Sequence, residues 1–134
     1  MDMYKVENVS SSNSKIDQKT ILVVEDDASI GFLLVEALRQ ETPYMAMLVS
    51  DGIQALKIAH SIKPSLFITD YWLPYINGLE LYDRLQATKD LADTPTIIMS
   101  AYLPEQEVKK RNLVGLNKPF ELDEFLEIVT KLLA

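Results

Sequence analysis

What most limits the fold of this chain is a repeated alternation: a short apolar run, then a polar stretch in which apolar residues return with helical spacing. Ile21-Leu22-Val23-Val24 is the clearest run, β-branched and unbroken, as a strand covered on both faces requires. Ile30, Leu33, Leu34, Ala37 and Leu38 then recur at helical intervals, which predicts an amphipathic helix with these residues turned inward. Residues 45–49 predict a second strand. Ser50-Asp51-Gly52 supplies an N-cap for a helix whose inner face is Ala55, Leu56 and Ala59. Pro64 closes that segment. Leu66-Phe67-Ile68-Thr69 reads as the third strand, residues 79–86 as the third helix, and Thr96-Ile97-Ile98-Met99 as the fourth strand. Leu122, Phe125, Leu126, Val129, Leu132 and Leu133 share one face of a final helix.

The interval between Ser100 and Lys118 must hold both a helix and a fifth strand. Residues 104–111 offer only Val108 as an apolar anchor, and residues 113–116 make a very short strand, so the fourth helix is expected to be short or irregular. Connections too long for hairpins imply a parallel sheet, giving an α/β fold: a doubly wound five-stranded sheet with helices on both faces.

Residues 20–134 are read as one domain and residues 1–19, polar and centred on Ser10-Ser11-Ser12-Asn13-Ser14, as a flexible tail. That tail has no apolar core of a signal peptide, no run is long enough to span a bilayer, and there is no cysteine. A cytoplasmic protein without membrane attachment is the expectation. The net charge of −7 argues against a nucleic-acid partner, since the one basic run, Lys109-Lys110-Arg111, is a weak electrostatic footprint and reads as a solvated face. His60 reads as a surface residue, and Met45, Met47 and Met99 as core filler.

Ligands of such sheets bind beyond the carboxyl ends of the strands. Glu25-Asp26-Asp27 follows the first strand, Asp70 the third, Ser100 the fourth and Lys118 the fifth, and a strand order of 2-1-3-4-5 brings all four ends around one cleft. Taken singly, each has an ordinary explanation as a loop, cap or exposed residue. Together they describe a site. Carboxylates about 4 Å apart repel by roughly 4 kcal/mol per pair at an effective dielectric near 20, a cost that a bound cation removes. Hard oxygen donors suit Mg²⁺. Lys118 adds positive charge, Ser100 a hydroxyl, and an Asp carboxylate is a competent nucleophile toward phosphorus.

These blocks resemble those of response-regulator receiver domains of two-component signalling, the CheY-like, flavodoxin-like superfamily. They are Ile21-Leu22-Val23-Val24-Glu25-Asp26-Asp27, Asp70 with Leu73-Pro74 and Asn77-Gly78, Ser100-Ala101, and Lys118-Pro119-Phe120. The resemblance runs from about Thr20 to the C-terminus. It implies Asp70 as phosphoacceptor, Ser100 and Lys118 as phosphoryl-binding residues, and a cis Lys118–Pro119 bond. The implied Mg²⁺ ligands are Asp26, Asp27, Asp70 and the backbone carbonyl of Trp72, with Asp27 the more direct of the acidic pair. It also implies a sensor histidine kinase or histidine phosphotransfer protein as donor and output by protein–protein contact. The downstream target and homodimerisation stay open. In this reading the protein is no enzyme beyond its own phosphoryl transfer and autodephosphorylation.

The chain departs from the family pattern in three places. Gly115 occupies a position that is usually aromatic where receivers switch by ring rotation. The Ser100–Lys118 interval is short. Trp72 follows Asp70 by two residues, where its indole would shield a phosphoryl group from water. Two other classes compete. A phosphohydrolase of the haloacid-dehalogenase type needs a second Asp where Trp72 stands, and an interaction module that has lost phosphorylation would not need the full residue set.

Overall fold

A computed structural model describes residues 19–111 and 113–134. The expectation of a flexible tail over residues 1–19 therefore falls, but for Lys19, outside the described residues. The elements in chain order are β1 (Thr20–Val24), α1 (Ala28–Glu41), β2 (Met45–Val49), α2 (Gly52–Ile62), β3 (Leu66–Asp70), α3 (Gly78–Gln86), a 3₁₀ turn (Lys89–Leu91), β4 (Thr96–Ser100), α4 (Glu105–Lys110), β5 (Val114–Asn117) and α5 (Leu122–Leu133). The sheet is wholly parallel, in the order β2-β1-β3-β4-β5. That is the doubly wound architecture expected.

Alternation along the strands sorts the apolar residues into two cores. Ile21, Val23, Leu66, Ile68, Ile97 and Met99 face α1 and α5, where Leu34, Val35, Leu38, Phe125, Val129 and Leu133 meet them. Leu22, Val24 and Phe67 face α2 and α3, packing on Ala55, Ala59, Leu81 and Leu85. Both faces of the three inner strands are thus dry, which is why their sequences lack the polar alternation of an exposed sheet. The first three helices begin on a side-chain cap, whereas α4 and α5 have none. Asp27 caps α1 by accepting from the N–H groups of Ser29 and Ile30, Asp51 caps α2 by accepting from Gln54, and Asn77 with Glu80 forms a capping box on α3.

Three expectations are corrected. Helix α1 buries Gly31, Leu34, Val35, Ala37 and Leu38, leaving Ile30 and Leu33 outward. On that buried face a Cβ at Gly31 would lie 2.6 Å from Leu48 Cδ1, so the glycine leaves room for the β2 side chain against the helix backbone. Met45 is half exposed because β2 is an edge strand, whereas Met99 is fully buried. Arg111 is not part of a solvated basic face. Its guanidinium makes two 2.9 Å contacts with the Asp83 carboxylate and one of 2.8 Å with Glu107, fastening the end of α4 to α3. The fourth helix is short, as expected, at six residues, and Val108 is its one buried side chain. His60 is exposed.

Candidate functional site

Backbone hydrogen bonds carry the sheet one residue beyond three of its strands. Glu25 N–H donates to Val49 O at 3.0 Å, Tyr71 N–H to Met99 O at 2.9 Å, and Lys118 N–H to Ser100 O at 2.9 Å. The side chains at these ends are therefore held on a rigid edge rather than on free loops. Glu25 is 2% exposed and Asp70 7% exposed, both unusual for carboxylates.

Glu25, Asp26 and Asp70 each present a carboxylate oxygen within 4.8 Å of the others. Lys118 Nζ lies 2.7 Å from Asp70 Oδ1 and 3.4 Å from Glu25 Oε1. The Asp70 contact is an ion pair without hydrogen-bond alignment, so Oδ1 is buried with no aligned donor among the described residues. One ammonium thus pairs with two of the three carboxylates. Burial, together with the neighbouring Asp70, pushes Glu25 up to about 7, against the opposing pull of Lys118 and the Asp27 N–H. Burial works to lower Lys118, yet Asp70 and Glu25 more than offset it and hold the ammonium above its ordinary value.

The expected acidic pair was Asp26 and Asp27. The structure brings Asp26 to Asp70 but places Asp27 elsewhere: its carboxylate is committed to the start of α1, and its own N–H donates to Glu25 Oε2 at 3.1 Å. Glu25 takes the second place. The capping signal was readable, since Asp27 directly precedes the helical run, and a side chain that caps a helix is turned away from the strand end.

Ser100 ends β4, buried, and its Oγ accepts from Tyr102 N–H at 3.1 Å. The Lys118–Pro119 bond is cis. Gly78 opens α3 directly over the end of β3, where a Cβ would lie 2.5 Å from Asp70 O; no other residue permits that approach. Trp72 is 70% exposed, its ring edge-on to Tyr71 at 4.9 Å between centroids.

The donor set fits a hard divalent cation. All its side-chain atoms are carboxylate oxygens, their charge exceeds that of the one lysine beside them, and a buried oxygen of Asp70 has no aligned donor.

A wholly parallel sheet in this order, with acids just after β1 and at the end of β3, a hydroxyl at the end of β4 and a lysine just after β5, defines a doubly wound α/β protein with a polar site on the carboxyl edge of its sheet. The family model of the response regulator receiver domain matches residues 21–130, and the chain belongs to that family. Sporulation initiation phosphotransferase F of Bacillus subtilis is 31% identical over 117 residues, covering 84% of this chain and 92% of that protein. The probable transcriptional regulator ycf29 of Pyropia yezoensis is 29% identical over 118 residues, but the match spans only 53% of its length. Among solved structures, chemotaxis response regulator CheY4 of Vibrio cholerae superposes with a TM-score of 0.78 at 25% identity, covering 86% of this chain and 98% of that one. No helix among the described residues is long and apolar enough to cross a membrane.

Proposed function

We propose that residues 20–134 form a phospho-accepting receiver in which Asp70 takes a phosphoryl group from a histidine kinase or a histidine phosphotransfer protein. An Asp70 carboxylate oxygen forms the new bond to phosphorus while the phosphorus–nitrogen bond of the donor imidazole breaks, its electron pair staying on nitrogen. The product is an acyl phosphate. The observation that carries this reading is Lys118 Nζ held 2.7 Å from a buried Asp70 whose other neighbours are two more carboxylates. Such a group is costly at rest and suited to receiving positive charge and a transferring phosphoryl group.

Glu25, Asp26, Asp70 and the backbone carbonyl of Trp72 are the candidates to hold Mg²⁺. Bound there, the ion would screen the carboxylates from the incoming phosphoryl oxygens. Lys118 pairs with a phosphoryl oxygen once the Asp70 charge is spent in the new bond. Ser100 donates its hydroxyl to another. Asp27 serves the site indirectly, by fixing the start of α1 and, through its N–H, the Glu25 carboxylate. The relatives' names, a phosphotransferase and a response regulator, accord with this chemistry.

Incubation with Mg²⁺ and acetyl phosphate tests the reading. The expected result is a mass gain of one phosphoryl group, lost in Asp70→Ala and in the presence of chelator. A protein that gains no mass is a binding module instead, the reading to which the missing ring at Gly115 and the shortness of α4 lend weight.

A further inference from the structure

Gly115 has no side chain to move, yet the space above it is not empty. A Cβ at that position would lie 2.9 Å from Leu103 Cδ1 and 3.5 Å from Val108 Cγ1. Leu103 belongs to the loop between Ser100 and α4, and Val108 is the one buried residue of α4. Both pack in a small cluster with Leu79 and Ile98, separate from the two main cores. The place of an absent side chain on β5 is therefore filled from the loop that leaves the phosphoryl-binding end of β4.

The same loop is tied to the site by one polar contact, the bond that Ser100 Oγ accepts from Tyr102 N–H at 3.1 Å. Tyr102 itself is exposed, so no packing of its ring resists movement of the backbone on either side. At its far end α4 is fastened by Arg111 to Asp83 and Glu107. The loop and α4 thus run between two fixed points, Ser100 in the sheet and Arg111 at the end of α4, paired to Asp83 of α3, with Leu103 as an apolar attachment in between.

We propose that Leu103, seated on the bare backbone of Gly115, is the moving part that passes the state of Asp70 to α4. This rests on the phospho-accepting reading above. A phosphoryl group on Asp70 draws the Ser100 hydroxyl toward itself and stretches the bond accepted from Tyr102. The neighbouring Leu103 is then levered out of its seat. Val108 loses one of its apolar neighbours, and α4, with so little else buried, shifts about the Arg111 anchor. The glycine is what makes the seat: any side chain on residue 115 would compete with Leu103 for it.

The test uses the full chain labelled at leucine methyl groups. At rest, a nuclear Overhauser contact joins a Leu103 methyl to the Gly115 α-protons. After acetyl phosphate and Mg²⁺ have added one phosphoryl group, verified by mass, that contact is lost and the amide signals of Leu103 and Val108 move. In Gly115→Ala, without any phosphodonor, the same amide signals are displaced toward their phosphorylated positions, because the new methyl unseats Leu103. A phosphorylated protein that keeps the Leu103–Gly115 contact overturns the proposal while leaving the receiver reading intact, and so does a Gly115→Ala spectrum unchanged around Leu103. Absence of any phosphoryl gain overturns both.

Discussion

Glu25 is the residue whose replacement reports most clearly on the strain within the acidic cluster. Its folded pKa is raised from 4.5 to about 7, first by burial and then by Asp70. Between those values the folded protein retains a proton that the unfolded chain has already released. Stability therefore falls as pH rises from about 4.5 to about 7 and levels off above. A displacement of that size corresponds to at most about 3 kcal/mol. Glu25→Gln keeps the shape of the protonated side chain and cannot ionise, so it removes this loss. In chelator, urea denaturation followed across pH 4.5–8 should show the variant gaining on the parent by about 2–3 kcal/mol toward the alkaline end. The two should be close near the acid end, and titrating groups remote from Glu25 cancel because both proteins carry them. Added Mg²⁺ should stabilise the parent at alkaline pH and the variant much less. Stability curves that stay parallel over the whole range would refute the reasoning, since Glu25 would then be no more burdened in the fold than in the unfolded chain.

Three further outcomes follow from named contacts. Gly78→Ala places a methyl group against Asp70 O, where a Cβ would lie only 2.5 Å away, and should cost about 1–3 kcal/mol in thermal or urea unfolding while slowing phosphoryl uptake. Tyr75, 81% exposed at φ 74°, is the centre of a tight turn closed by Ile76 N–H to Pro74 O. Tyr75→Gly should therefore be neutral or stabilising by up to about 1 kcal/mol, read as a change in denaturation midpoint. Asp83→Asn loosens the Arg111 clasp; its exposure limits the stability loss to about 1 kcal/mol, but amide exchange in α4 should quicken selectively. Arg111 holds the Asp83 carboxyl below its ordinary value, so this contribution is present at neutral pH and lost as pH falls through the depressed pKa.

Sequence periodicity carried the strands well because the inner ones are covered on both faces and must be continuously apolar. It misjudged α1, where Ile30 and Leu33 fit the helical spacing as well as Leu34 and Val35 do. Packing of Leu34, Val35 and Leu38 into the core, with Gly31 close against Leu48, is a tertiary fact that helical spacing does not carry. Met45 has the residue type of a core position but lies on an edge strand. The role of Arg111 was hidden because its partner Asp83 is 28 residues away in the chain. The positions of Asp26, Asp70, Ser100 and Lys118 at or just after the ends of β1, β3, β4 and β5 were legible in the sequence. Asp27 carried a capping signal, directly before the helical run, but position after β1 alone did not separate it from Glu25, two residues earlier, whose N–H still bonds into the sheet.

The composition of the cluster can be measured directly by titrating Mg²⁺ into the parent protein and its single variants by calorimetry, with denaturation run alongside. Asp26→Asn should abolish or strongly weaken binding while the fold persists. Asp27→Asn should keep the ion, because an amide oxygen can still accept from the N–H groups at the start of α1. Binding that survives Asp26→Asn and disappears in Asp27→Asn would contradict the account at its centre.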